Sequence, residues 1–209
     1  NPDTMETIPC FAEKLYMLAL SGNEKPIPAD YLLAVLASFY LRGLITVVDQ
    51  KVRITPDGES CLAEKRGLSD YESFALSAIQ NGDLIGFANS VDEAMLKKHI
   101  IKKGFLIKVP RFSHVSKTIP ALSIICCRYQ FSETGQQEIK ELLLERQFLA
   151  GSLLAGQGGD TIELAIFPSL TENQSDSVYL IPLREYVRSA LGELISLFHP
   201  EGEYPANNI

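Results

Sequence analysis

Apolar positions recur at three- and four-residue spacing along most of this chain, and that period argues helix. From Phe11 to Leu20 there are good helix formers and few breakers, with Phe11, Leu15, Tyr16 and Leu18 on one broad side, so a buried helix is predicted. After the polar turn Ser21 to Pro28, Asp30 stands where an N-cap would. The following Tyr31 to Leu41 is apolar nearly all round, the pattern of a helix inside the core. A helix from Ser69 to Gln80 stops at Asn81-Gly82. Ser90-Val91-Asp92-Glu93 matches a capping box and opens a helix to Lys103, with Val91, Met95, Leu96, His99 and Ile100 on its apolar side. Thr134 to Gln137 offers another cap for a helix through Leu154 that carries Ile139, Leu142, Leu143 and Leu149. Gly156 to Gly159 breaks the chain before Asp160 caps an apolar segment ending at Pro168. The last helix has the clearest periodicity, with Leu183, Tyr186, Val187, Ala190, Leu191, Leu194, Ile195 and Phe198, and is expected to pack on the core.

Two stretches leave the helical period. Leu44 to Val48 and Lys51 to Thr55 read as a hairpin turning at Asp49-Gln50, with Pro56-Asp57-Gly58 closing it by turn chemistry. Phe105 to Val109 and Ala121 to Tyr129 read as a second, longer hairpin, paired through Phe105-Leu106-Ile107 and Ile124-Ile125-Cys126. Its apex, Pro110 to Pro120, is expected to project. The apex mixes apolar Phe112, Val115 and Ile119 with basic Arg111, His114 and Lys117, which suits shallow membrane contact or self-association; the alternative folds those apolar groups back onto the core. Leu41-Arg42-Gly43-Leu44-Ile45 and Lys102-Lys103-Gly104-Phe105-Leu106 echo each other as helix, glycine stop and strand, though five residues are too few to establish a duplication. The fold class expected is mainly α: a single-domain helical bundle with two β-hairpins over residues 10–198, between terminal tails 1–9 and 199–209.

Composition narrows the class. With 46% hydrophobic residues in 209, the chain can bury a sizeable core, and its longest apolar runs fall short of the roughly 20 residues that span a bilayer. Asn1-Pro2-Asp3-Thr4 lacks the basic start and apolar stretch of a signal peptide, and the missing initiator Met leaves a preceding leader open. Cys10, Cys61, Cys126 and Cys127 show no C-x-x-C spacing, which points to a reducing, cytoplasmic setting and to buried structural thiols ahead of a redox or metal role. The phosphate loop, the nucleophile elbow and the zinc helix motif are absent. The three histidines have no ligand spacing, and His99 reads as a core or cap residue. No motif argues an enzyme, a metal or a cofactor.

Charge is segregated more sharply than the net −7 suggests. Between Ala94 and Ser132 lie eight of the 19 basic residues and none of the 26 acidic ones. Lys97, Lys98, Lys102, Lys103, Lys108 and Arg111 are the candidate contacts for lipid or other anions, with Phe112, Val115 and Ile119 as candidate membrane or oligomer contacts. The bland alternative is a solvated lysine face. Helix, helix and hairpin over residues 11 to 55 is also compatible with a winged helix that reads DNA. Against that, Tyr31 to Leu41 has no basic or amide side chain to read bases before Arg42.

The order of these features resembles the Golgi phosphoprotein 3 family, which has bacterial members. The resemblance rests on Ala12 to Leu20, Tyr40-Leu41-Arg42-Gly43-Leu44-Ile45 before a hairpin, Pro56-Asp57-Gly58-Glu59 with Leu62, and Leu96 to Leu106 ending in Lys-Gly-hydrophobic. Arg128-Tyr129, the helix to Leu154 and Gly158-Gly159-Asp160-Thr161 extend it, so that it covers roughly residues 10 to 198 in order and pattern. It implies a helical bundle with an exposed hairpin. In eukaryotic members it implies binding of phosphatidylinositol 4-phosphate on Golgi membranes and retention of glycosyltransferases through their cytoplasmic tails. The family's headgroup pocket uses a tryptophan and arginines; this chain has no tryptophan, and the arginine positions fall on Leu32, Ser90 and Glu93. The function expected is a cytoplasmic, peripheral membrane adaptor that contacts anionic lipids, phosphoinositides among them. Protein clients or a homo-oligomer could be further partners. A winged-helix nucleic-acid regulator is the runner-up, and an enzyme of unknown type comes third.

Overall fold

The computed structural model describes residues 8–110, 127–157, 161–171 and 178–198, and within them the architecture is mainly helical with two antiparallel hairpins. Helix α1 (Phe11–Leu20) is buried on nearly every side, from Phe11 to Leu18. Helix α2 (Pro28–Leu41) is the centre of the molecule: Tyr31 through Phe39 are all buried, and α1, the 3-10 turn Ile162–Ile166 and the C-terminal helix pack around it. Burying each of its Leu and Phe side chains contributes about 1.5–3 kcal/mol, which is why so apolar a stretch lies inside. Its start differs from the expected cap. Pro28 takes the first helical position, where no N–H is needed, and Asp30 reaches back to the Ile27 N–H at 2.8 Å from the third position.

Strands β1 (Ile45–Val48) and β2 (Lys51–Ile54) pair antiparallel with Val48 opposite Lys51. Asp49 and Gln50 both take positive φ, as a two-residue turn matched to strand twist demands. Pro56-Asp57-Gly58 is not a turn but the first turn of helix α3 (Pro56–Glu64). Thr55 caps it by accepting the Gly58 N–H at 3.1 Å, and Pro56 at the first position favours helix over turn. Helix α4 (Asp70–Asn81) begins at Ser69 and ends at Gly82 in left-handed conformation, as expected. A five-residue helix α5 (Leu84–Ala88), too short to show a period, follows and buries Phe87 against the last helix.

Helix α6 (Glu93–Lys102) is capped by Asp92, which accepts the Met95 N–H at 2.6 Å. Ser90 is buried and donates to the Phe87 carbonyl, so it is not the cap. Strands β3 (Leu106–Pro110) and β4 (Cys127–Phe131) pair with Leu106 opposite Phe131 and Pro110 opposite Cys127. The expected register is therefore displaced, since Ile107 pairs with Gln130 instead of the Ile124–Cys126 stretch. Helix α7 (Glu133–Leu154) is capped by Ser132, ahead of Thr134 to Gln137, and its 22 residues bury only Gly135, Leu142 and Leu149. Pro168 opens the single turn α8 (Pro168–Thr171) after the 3-10 segment. The last helix, α9 (Leu180–Phe198), packs on α2 and α5 through Leu180, Leu183, Val187 and Ala190. In its distal part Ile195 and Phe198 are exposed where packing was expected, and Leu197 is exposed beside them.

The five-residue echo extends into a structural repeat. Gly43 and Gly104 both turn the chain with positive φ after a helix. The carbonyl of the next residue, Leu44 or Phe105, accepts the N–H of Thr55 or Ser132 at 3.0 Å after the second strand. The hydroxyls of Thr55 and Ser132 donate back to Gly43 and Gly104 at 2.6 Å. Each then caps the next helix through the N–H of a glycine, Gly58 or Gly135. The residue before each glycine stop, Arg42 or Lys103, also ties its unit to the start of a helix outside it. Arg42 donates to Glu72 at 2.9 Å and to the Gly67 carbonyl at 2.7 Å, while Lys103 donates to Glu13 at 2.5 Å and to the Ile8 carbonyl at 3.0 Å. In both cases the carboxylate is the third residue of a helix and also accepts an N–H from the helix cap, Ser69 or Cys10.

Candidate anion-binding face

The polar side of α6 faces β4. Lys97 Nζ lies 3.9 Å from the centroid of the Tyr129 ring, a cation–π contact, and Tyr129 is itself 42% exposed. In the hairpin register Lys108 stands directly opposite Tyr129, and Arg128 precedes it in the strand. Lys98, Lys102, Lys108 and Arg128 are exposed, and among the described residues none of them, nor Lys97, meets a carboxylate. Helix geometry places Lys98 and Lys102 one turn apart. Lys97 and Lys108 thus flank one amphipathic ring, while Arg128, its neighbour in the strand, points to the other side of the hairpin.

Lys103 has a different task from its neighbours. Its ammonium is turned inward onto Glu13, a fully buried carboxylate, and is 15% exposed. Taking two such groups out of water is tolerable only because each offsets the other. Arg111, Phe112, Val115 and Ile119, with the hairpin apex and Cys126, lie outside the described residues, and Cys127 is described only as strand. Tyr129 enters the sequence reading only as a strand end and through the resemblance; its place beside Lys108 depends on the register, and its place under Lys97 on the packing of α6 against the hairpin.

The positions aligned with the family's headgroup arginines hold no cation. Leu32 is buried in α2, Ser90 is buried on its own carbonyl partner, and Glu93 accepts from the Tyr31 hydroxyl at 3.4 Å. Beneath them, the thiol of Cys10 hydrogen-bonds the Tyr71 hydroxyl, and His99, buried, meets the Tyr71 ring edge-on at 5.3 Å. Burial pushes the Cys10 thiol far up, and the fields of Glu13 and Glu72 add to it. That thiol is protonated and unreactive, a packing group. Among the described residues no group of three or more His, Cys, Asp or Glu is placed to hold a metal, and no helix is long and apolar enough to cross a membrane. No protein-family model, curated protein or solved structure matches the chain.

Proposed function

We propose that this protein is a peripheral adaptor of the Golgi phosphoprotein 3 type that meets anionic lipid headgroups on a cytoplasmic membrane face through α6 and the β3–β4 hairpin. The observation that carries the reading is the set of five cations, Lys97, Lys98, Lys102, Lys108 and Arg128, unpaired by any described carboxylate: Lys97 and Lys108 stand beside Tyr129, Lys98 and Lys102 lie one turn apart on α6, and Arg128 is on the other side of the hairpin. Near an anionic membrane each such residue contributes on the order of 1 kcal/mol, within a screening length of about 8 Å at physiological salt. Tyr129 supplies the amphipathic ring favoured at a headgroup boundary. With Leu32, Ser90 and Glu93 where the family carries arginines, selectivity among lipids of equal charge should be slight. The nucleic-acid reading is weaker because α2, its recognition helix, is buried from Tyr31 to Phe39 and has no free face for a groove.

The test is co-sedimentation with neutral, generally anionic and phosphoinositide vesicles, with duplex DNA as control. Binding should follow vesicle charge and fall steeply with salt. Changing Lys98, Lys102, Lys108 and Arg128 together to glutamate should abolish it with the fold intact by circular dichroism. Lys103 is left in place, since reversing it would set two carboxylates against each other in the core. Undiminished vesicle binding by the reversed variant, or preference for DNA over anionic vesicles, would remove this function.

A further inference from the structure

A groove of about 440 Å³ opens at the end of α2, lined by none of the residues of the cationic face. Tyr40 and Leu41 from the last turn of α2, Thr161, Ile162 and Glu163 at the 3-10 segment, and Tyr179 before α9 line it. The Tyr40 and Tyr179 rings lie 6.0 Å apart, inclined at 41°. Ile162 is buried beneath, whereas Leu41 and Tyr179 are 55% and 45% exposed. Glu163 has no ion pair or hydrogen bond with any described residue. The charge that reaches it from α7 is another carboxylate, Glu145, which Glu163 repels. Two aromatic rings, aliphatic walls and a carboxylate with no cationic partner among the described residues therefore share one opening.

We infer that this groove binds an alkylated ammonium group, with the Tyr40 and Tyr179 rings against its methyl groups and Glu163 balancing its charge. The reasoning is one of hydration. A sodium ion or a primary ammonium holds its water too tightly to exchange it for ring faces and a Leu–Ile surface. A quaternary ammonium spreads its charge over methyl groups, is weakly hydrated, and gains from both the ring quadrupoles and the apolar walls. An anion would meet Glu163 directly. A neutral apolar group would gain the walls and leave the carboxylate unanswered. The alternative, a tyrosine pair that only fastens α2 to α9 beside a solvated glutamate, predicts no preference for charge.

The experiment follows the tyrosine ring signals by NMR during titration with choline and, separately, with 3,3-dimethyl-1-butanol, which has choline's shape without its charge. Choline should give a saturable shift of the Tyr179 and Tyr40 rings with millimolar affinity, and the neutral analogue should bind about three- to tenfold more weakly. Glu163→Gln and Tyr179→Leu, both at partly exposed positions, should each weaken choline by a similar factor while staying folded, with Glu163→Gln melting no lower than the parent because repulsion from Glu145 is relieved. Phosphatidylcholine vesicles complete the set: capture that free choline competes away places the ligand on a lipid headgroup, and choline binding without capture places it on a soluble cation. No saturable ring shift, equal binding of the neutral analogue, or affinity unchanged in both variants would overturn the assignment. None of these outcomes depends on the lysine-rich face, so either conclusion can fail alone.

Discussion

Three glycines show how a single hydrogen atom in place of a methyl is used at different points of this chain. A Cβ on Gly58 would lie 2.2 Å from the Leu44 carbonyl oxygen, and one on Gly135 would lie 2.1 Å from that of Phe105. Neither oxygen can retreat, because each accepts the N–H of the helix cap that follows the hairpin, Thr55 or Ser132. The glycines are required by close approach of helix and strand, with helical φ and no backbone strain at issue. Gly151, in the last turn of α7, has nothing within 4 Å of the same position. Gly58→Ala and Gly135→Ala should each lose about 1–3 kcal/mol by overpacking. Gly151→Ala should gain about 0.5–1 kcal/mol from helix propensity and a less free unfolded chain. Urea unfolding of the three variants checks this. Equal effects at all three sites would mean that the hairpin–helix junctions are not tightly packed.

At the scale of elements, what the sequence revealed depends on how local each cause is. Helices α1, α2, α4, α6, α7 and α9 were legible because each carries several apolar turns, and the β1–β2 hairpin because two turn residues set its register. The β3–β4 register was not legible, since a long connection imposes no pairing and alternation alone leaves slips open. Caps were misplaced by a few residues where several acceptors stand together. Ser90 and Asp92 both qualify by type, and only the packing of Ser90 onto Phe87 decides between them. Lys103 was the instructive misreading of the candidate face: it is one of four lysines on a polar helix side, and what draws it inward is Glu13, ninety positions away. If that pair ties the second unit to α1, Lys103→Met should cost about 3–5 kcal/mol by leaving a buried carboxylate uncompensated. Adding Glu13→Gln should recover a large part of the loss, whereas Lys98→Ala should stay within about 0.5 kcal/mol. A double-variant cycle by denaturant unfolding measures the coupling, and additive losses would show that the pair acts as two separate groups.

Over the whole molecule the two signs of charge serve different surfaces. The basic residues of α6 and β3–β4 lie in a stretch that holds no acid after Glu93, the first residue of α6, while α7 brings Glu138, Glu141 and Glu145 toward α1 and the 3-10 segment, where Lys14 and Glu163 meet them. Another carboxylate, Glu24, is buried and well answered: Arg146, the Ser169 hydroxyl and the Ser169 N–H all donate to it, which ties α7 and α8 to the α1–α2 loop. Glu138 and Glu145 are less well answered. Burial is the largest influence on each and raises its carboxyl pKa; Lys14 lowers both, Glu141 and Glu145 raise Glu138, and Glu163 raises Glu145. A carboxyl raised in the folded state binds more protons there than in the unfolded chain, so its contribution to stability falls as pH rises through that window. At neutral pH both states are ionised and the full penalty applies; well below the ordinary carboxylate range of about 4, both are protonated and it vanishes. Glu145→Gln, which keeps the shape and removes the charge, should therefore raise the melting temperature at pH 7.5, with the gain shrinking to nothing near pH 3. High salt should act only on the parts due to Lys14 and Glu163, weakening the attraction and the repulsion alike, because burial is not screened. Calorimetry of parent and variant from pH 3 to 8 decides the matter. A destabilised variant at pH 7.5 would mean that attraction to Lys14 outweighs burial, and a gain that persisted at pH 3 would trace the effect to packing in place of charge.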